Sequence, residues 1–110
     1  MEYTAKSCYV RMSPLKLRQL ARVLKGRSAS DGKDLLRFIV KKSARLIGKT
    51  LDSAIANAEN NFNVAMEDLL IRQVIIEEGS VMKRHIPASR GSAHPIRKRT
   101  SHIKVILVKK

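Results

Sequence analysis

Two runs rich in β-branched residues, Leu69 to Glu77 and Ile103 to Val108, are joined by residues 79 to 102, which hold Gly79, Pro87, Gly91 and Pro95 and no carboxylate. Both runs have strand length and predict antiparallel neighbours. A structureless connection this long is uncommon inside a compact domain and is usually functional. A weak period of two continues into it from both sides, so the sequence predicts that the strands run on as an extended hairpin turning near Gly91. Each arm then gains roughly ten residues, about 30 Å of ribbon at about 3.3 Å per residue. Such a ribbon carries too few large apolar side chains to be stable alone, which implies that a polyanion supplies its walls.

Charge is distributed to match. Residues 79 to 110 carry nine Lys and Arg and no acid, and residues 1 to 50 carry thirteen basic and three acidic side chains. Residues 51 to 78 reverse the balance, with one basic and six acidic, within an overall charge of +14. Two cationic surfaces would be drawn to polyphosphate. The acidic stretch, with Asp52, Glu59, Glu67, Asp68, Glu77 and Glu78, is expected to form a free face turned to solvent or to basic side chains.

The body that carries the hairpin is small. A length of 110 residues with 44% apolar content predicts one domain over residues 1 to 110, with the arm at 79 to 102 inside it. Residues 3 to 11 read as a strand with Lys6, Cys8 and Val10 on one side and Ala5, Ser7, Tyr9 and Arg11 on the other. Ser13 as N-cap, Pro14 at the first helical position and Gly26 as a left-handed C-terminal cap bracket a helix. Leu17, Leu20, Ala21 and Leu24 form its packing side, and Lys16, Arg18, Arg22 and Lys25 cover the rest. Ser30 with Asp34 starts a second helix through Phe38, which Gly32 weakens by about 1 kcal/mol relative to alanine. A third runs from Lys41 to about Asn60, with Ala44, Ile47, Leu51, Ala54, Ile55 and Ala58 as the centre of the core. Asn60, Asn61 and Asn63 end it, since asparagine tolerates the left-handed region.

Catalytic patterns are missing: there are no paired carboxylates, no Ser/His/Asp set, and no phosphate or dinucleotide loop. His85, His94 and His102 lie nine and eight residues apart with one distant cysteine, which is not zinc spacing, so neither metal nor cofactor is expected. The imidazoles fit RNA stacking or hydrogen bonding better. Cys8 cannot form an intramolecular disulfide and reads as a small buried hydrophobe in a reducing cytosol. No secretory signal pattern and no membrane-length apolar run are present, so no membrane partner is expected.

Arg97, Lys98 and Arg99, followed by Thr100, Ser101 and His102, combine cations with hydroxyls able to bond phosphate or ribose, and Lys83 and Arg84 join them from the opposite arm. A solvated charge run is the alternative, and the absence of any acid favours nucleic acid. A helix-turn-helix reading of DNA fails on the third helix, whose apolar stripe and acidic end make it a poor recognition helix. Two Tyr, two Phe and no Trp argue against base-stacking modules. Backbone and shape recognition of folded RNA remains. A small DNA-binding protein would differ by preferring duplex DNA, and a nuclease or RNA-modifying enzyme would need the carboxylates that both basic surfaces lack.

Ser53-Ala54-Ile55-Ala56-Asn57-Ala58-Glu59-Asn60, Met82-Lys83-Arg84 and Lys98-Arg99-Thr100-Ser101-His102-Ile103 closely resemble the bacterial large-subunit ribosomal protein L twenty-two family. Tyr9-Val10-Arg11-Met12-Ser13-Pro14 and Lys16 to Arg18 look like its N-terminal signature, so the resemblance spans nearly the whole chain. It implies an α+β fold, a three-stranded antiparallel sheet packed on three helices with a long protruding β-hairpin. It also implies binding to 23S ribosomal RNA early in assembly, neighbouring large-subunit proteins as partners, and a hairpin that reaches the nascent peptide at the exit-tunnel wall. No homo-oligomer is expected, and the location is a cytoplasmic ribosome, with an organellar one left open.

On that reading Lys83, Arg84, Arg97, Lys98, Arg99 and His102 contact RNA along the hairpin, with Thr100 and Ser101 beside them. Lys6, Arg11, Lys16, Arg18, Arg22, Lys25 and Arg27 form the second cationic set. Their chemistry is charge neutralisation, which displaces condensed counterions and lets RNA segments approach one another. The tip reads Pro87-Ala88-Ser89-Arg90-Gly91-Ser92-Ala93, where the family commonly has Pro-Arg-Ala-x-Gly-Arg-Ala. Arg90 is thus the expected tip anchor, with small neighbours that suit a narrow space. Gly32-Lys33 replaces the family's usual Ala-Leu pair, which implies that the second helix packs differently or begins later.

Overall fold

The computed structural model describes the backbone of residues 1–87 and 93–110 and the side chains of residues 1–79 and 99–110. Strand β1 (Glu2–Val10) is followed by helices α1 (Pro14–Leu24), α2 (Ala29–Phe38) and α3 (Lys42–Phe62), a 3-10 turn at Met66–Asp68, and strands β2 (Leu69–Pro87) and β3 (Ala93–Lys109). The sheet order is β1-β3-β2, and both pairings are antiparallel.

The central strand explains the layering. Ser101, Ile103, Val105 and Leu107 alternate along β3 and are all fully buried, and their partners Ala5 and Tyr3 on β1 and Ile76, Val74 and Ile71 on β2 share that face. The helices cover it, with α3 against β1 and β3, α1 against β2, and α2 against α3. The predicted stripe Ala44, Ile47, Leu51, Ala54, Ile55 and Ala58 is buried throughout. Its alanines let α3 lie close to the sheet, and Thr50 on the same side shares a 2.7 Å hydrogen bond with Ser7 of β1. Asn63 ends α3 in the left-handed conformation, φ 55°, while the next amide, Val64, donates back to the Ala58 carbonyl at 3.2 Å.

Three expectations are corrected. Helix α2 begins at Ala29, with Ser28 in place of Ser30 as its cap, its Oγ accepting from the Asp31 amide at 3.2 Å. The edge of β2 causes this: Gly26, φ 84°, donates to the Ile71 carbonyl at 2.9 Å and the Ile71 amide donates to Arg27 at 2.8 Å, so the chain leaves a strand-like contact directly into the helix. Helix α2 therefore starts earlier, not later. Gly32 is buried, and a Cβ there would stand 2.5 Å from Ile71 Cδ1, so close helix–strand approach outweighs its poor helix propensity.

Cys8 is exposed, not buried. Tyr3, Ala5 and Ser7 are the inward set of β1, which turns Lys6 and Cys8 to the helix-free face. The predicted alternation then breaks, because the register shifts between Ser7 and Val10 and Tyr9 adopts φ 56°. Val10 consequently packs against the core while Tyr9 is exposed.

Among the described residues, beyond Val10↔Ser101 two strands continue, paired from Val81↔Arg99 to Pro87↔Ala93. Seven residues of each arm span roughly 23 Å at about 3.3 Å per residue. The radius of gyration, 17.0 Å, exceeds the about 13 Å of a compact chain of this length. The predicted turn near Gly91, with Ala88, Ser89, Arg90 and Ser92, lies outside the described residues. Where the two-stranded part leaves the body, the β2–β3 register shifts between Glu78 and Val81. Gly79 fits this bulge because a Cβ there would strike Thr100 Oγ1.

Candidate nucleic-acid interface

Helix α1 sorts its side chains by period. Leu17, Leu20, Ala21 and Leu24 are buried, which leaves Lys16, Arg18, Arg22 and Lys25 exposed. Arg18, Arg22 and Lys25 line one shallow groove with Gln73 and Val74 of β2. Arg18 Nη2 donates to the Ile76 carbonyl at 3.2 Å, which holds the guanidinium at the strand edge and leaves its other donors for a ligand. Arg27 is also exposed, and its Nε donates to the Val23 carbonyl at 2.9 Å, closing the last turn of α1.

A second group lies where the hairpin leaves the body. The Tyr9 amide donates to His102 Nδ1 at 3.1 Å, and the two rings meet edge to face with centroids 4.9 Å apart. An accepting Nδ1 leaves the proton of the neutral ring on Nε2, a donor suited to a phosphate or carbonyl oxygen. Tyr9 itself is 65% exposed. It is absent from the sequence-predicted set, because only the bulge in β1 turns it outward. Arg11 and Arg99 are exposed as well.

Other predicted residues sit elsewhere. Ser101 is fully buried and its Oγ donates to the Met12 carbonyl at 2.7 Å, so that hydroxyl serves the body and is not offered to RNA. Thr100 is 4% exposed, with Oγ1 against the Gly79 bulge. Lys6 lies on the helix-free face, 4.0 Å from Glu77 across β3. On the same face Arg72 pairs with Glu2. Exposed pairs of this kind add little stability, so Lys6 remains available to an anion.

Along the hairpin the backbone register makes Lys83 the cross-strand partner of Arg97 and Met82 that of Lys98, with Arg84 opposite Ile96. The side chains of Lys83, Arg84, Arg97 and Lys98 lie outside the described residues, as do those of Arg90 and the other tip positions through Ala93. Asp52, Glu59, Glu67, Asp68, Glu77 and Glu78 are all exposed. Glu67 and Asp68 lie in the 3-10 turn just before β2, at the opposite end of that strand from the hairpin. Six further cations, Lys33, Arg37, Lys41, Lys42, Arg45 and Lys49, were missed as a group and line a cleft between α2 and α3. Their signal in the sequence was the basic excess of the first 50 residues, which does not reveal how the two helices meet.

No helix among the described residues is long and apolar enough to cross a membrane. Among the same residues no three His, Cys, Asp or Glu converge on a point that could hold a metal.

The model of the family described as ribosomal protein L22p/L17e matches residues 5–108. The large ribosomal subunit protein uL22 of Opitutus terrae is 50% identical over 107 residues, 97% of this chain and 95% of the relative. The protein of the same name from Methylacidiphilum infernorum is 51% identical over 110 residues, 100% of this chain and 96% of its own. That of Akkermansia muciniphila is 48% identical over 107 residues, 97% and 96% of the two chains.

Proposed function

The chain belongs to the ribosomal protein L22p/L17e family, a structural and non-enzymatic constituent of the large ribosomal subunit, and from that premise we propose that it joins segments of 23S ribosomal RNA through two cationic surfaces. One is the α1 face with Arg18, Arg22 and Lys25. The other is the hairpin, residues 79 to 102, acting as an arm of a single domain over residues 1 to 110.

The observation that carries this reading is the register Lys83↔Arg97 in the two-stranded part of the hairpin. Like charges at directly opposed positions repel, and the β1–β3 pairing ends at Val10↔Ser101, before this register is reached. A two-stranded ribbon is marginal in water even without such a pair. Phosphates on either side supply the missing counter-charge, and counterion release from the RNA drives association. The ribbon then orders fully within RNA, a coupled folding step. His102 Nε2, Arg99 and Arg11 fix the hairpin root on the RNA, while neighbouring ribosomal proteins meet the acidic face. The tip, with Arg90 as anchor and Ala88, Ser89, Gly91, Ser92 and Ala93 beside it, reaches the exit tunnel and lines the path of the nascent peptide.

Reconstitution of large subunits with a chain lacking Ala88 to Ala93 tests this division of labour. The apolar stripes and the body of every strand lie outside the deletion, so the shortened chain is expected to co-sediment with the subunit, while crosslinks from the tip to a nascent peptide disappear. Failure to enter the subunit would assign the anchoring role to the tip and overturn the reading.

A further inference from the structure

The cleft between α2 and α3 has an apolar floor of Leu36, Ala44 and Leu51, and six cations stand around it beside Ile39 and the exposed Val40. Two of the six cations are engaged within the protein: Lys33 lies 3.5 Å from Asp52, and Lys42 Nζ donates to the Arg11 carbonyl at 3.2 Å. The other four, Arg37, Lys41, Arg45 and Lys49, make no ion pair among the described residues, and all are exposed. Asp52 is the one carboxylate among the lining residues, and Lys33 already compensates it. Four uncompensated positive charges around one concavity repel each other. The repulsion is relieved by an anion seated between them.

Spacing narrows the ligand class. Lys41, which caps the start of α3 with extended backbone, and Arg45 and Lys49 within the helix recur every four residues, and at about 1.5 Å per residue that spacing within a helix is a step of about 6 Å. That row suits the successive phosphates of a nucleic-acid strand, whereas a single free anion would engage only one end of it. Phe38 lies between Arg37 and Ile39, both lining residues, and is 83% exposed. An exposed aromatic residue at the C-terminal end of α2, next in sequence to the lining residue Arg37, has the make-up of a base-stacking position next to a backbone track.

We infer that the α2–α3 cleft is a third RNA-binding surface, in which Arg37, Lys41, Arg45 and Lys49 follow the phosphates of one ribosomal RNA strand and Phe38 stacks on an unpaired base. This rests on the RNA-binding reading above and extends it to residues outside the hairpin and α1. An acidic protein segment could meet the same charges, but it would not use an exposed aromatic residue and a regularly spaced row as well as RNA does.

The test uses the full chain with 23S ribosomal RNA. In one arm Lys41→Ala/Arg45→Ala/Lys49→Ala is titrated with salt beside Arg18→Ala/Arg22→Ala/Lys25→Ala; each lost phosphate contact lowers the salt slope by about one, so a drop of about three is expected for the cleft variant. Unchanged thermal melting confirms that these exposed changes leave the fold intact. In the other arm a photoreactive residue replaces Phe38 in assembled large subunits, and a crosslink to RNA is expected. An unchanged slope in the cleft variant together with a lowered slope in the α1 variant would remove the cleft from the RNA interface and leave the broader reading standing. If neither variant changed the slope, the broader reading would fail as well. A crosslink to another ribosomal protein in place of RNA would overturn the assignment of the occupant.

Discussion

Ser101 Oγ donates to the Met12 carbonyl at 2.7 Å, tying the inner face of β3 to the chain just before α1. The contact joins the hairpin root to the segment that leads into the cationic helix, so the two cationic surfaces share one direct connection. Ser101→Ala leaves the Met12 carbonyl without this donor and is expected to cost about 1–2 kcal/mol of stability. Thermal melting reads this as a lower Tm. The salt slope for RNA stays as it was, because no phosphate contact is lost.

Gly32 and Ile71 form a testable pair. Gly32→Ala gains about 1 kcal/mol of helix propensity but sets a methyl group 2.5 Å from the fully buried Ile71 Cδ1, with Leu24 and Leu51 closing the other sides. Overpacking of this kind costs about 1–3 kcal/mol, so the single variant is expected to be destabilised. Ile71→Val removes Cδ1, and in a double-mutant cycle it should make the alanine at position 32 better tolerated. Additive losses in urea unfolding would argue against the close approach.

His102 is expected to matter twice. His102→Ala removes the acceptor of the Tyr9 amide and the edge-to-face ring contact, costing about 1 kcal/mol, read as a lower urea midpoint at constant m-value. His102→Asn keeps an acceptor within reach of that amide and should recover part of the stability. RNA affinity is expected to fall in the alanine variant beyond what the stability change explains, because the imidazole Nε2 donor is gone.

Much of the fold was legible where a single period governs a segment. The α3 stripe, the Asn63 stop, the Ser13-Pro14 start of α1 and the pairing of Leu69 to Glu77 with Ile103 to Val108 follow from side-chain periodicity and backbone preference. What failed depends on contacts distant in sequence. Residues 26 to 28 pair with the edge of β2, and this makes Ser28 the cap of α2 and Ala29 its first residue. The bulge before Val10 exposed Tyr9 and broke the alternation expected of β1. Thr100 and Ser101 sit in a polar run that reads as an RNA-facing segment, yet the same alternation that buries Ile103 also buries Ser101. The α2–α3 cations were visible one by one, but their convergence is a property of the helix pair.

The acidic surface supplies the control for the cationic ones. Glu67 and Asp68 are exposed at the end of β2 remote from the hairpin, so Glu67→Gln/Asp68→Asn should leave RNA affinity and its salt dependence nearly unchanged. Binding of this variant to 23S ribosomal RNA, followed by filter retention, checks it.

The central claim, that Lys and Arg of the hairpin and of α1 hold RNA by neutralising its phosphates, is tested most directly by the affinity of the full chain for 23S ribosomal RNA across a salt series. The logarithm of affinity is expected to fall steeply and linearly with the logarithm of salt for the natural sequence. In Lys98→Ala/Arg99→Ala the slope should be shallower by about two. A flat titration of the natural chain, or the same slope in the doubly substituted one, would contradict the account.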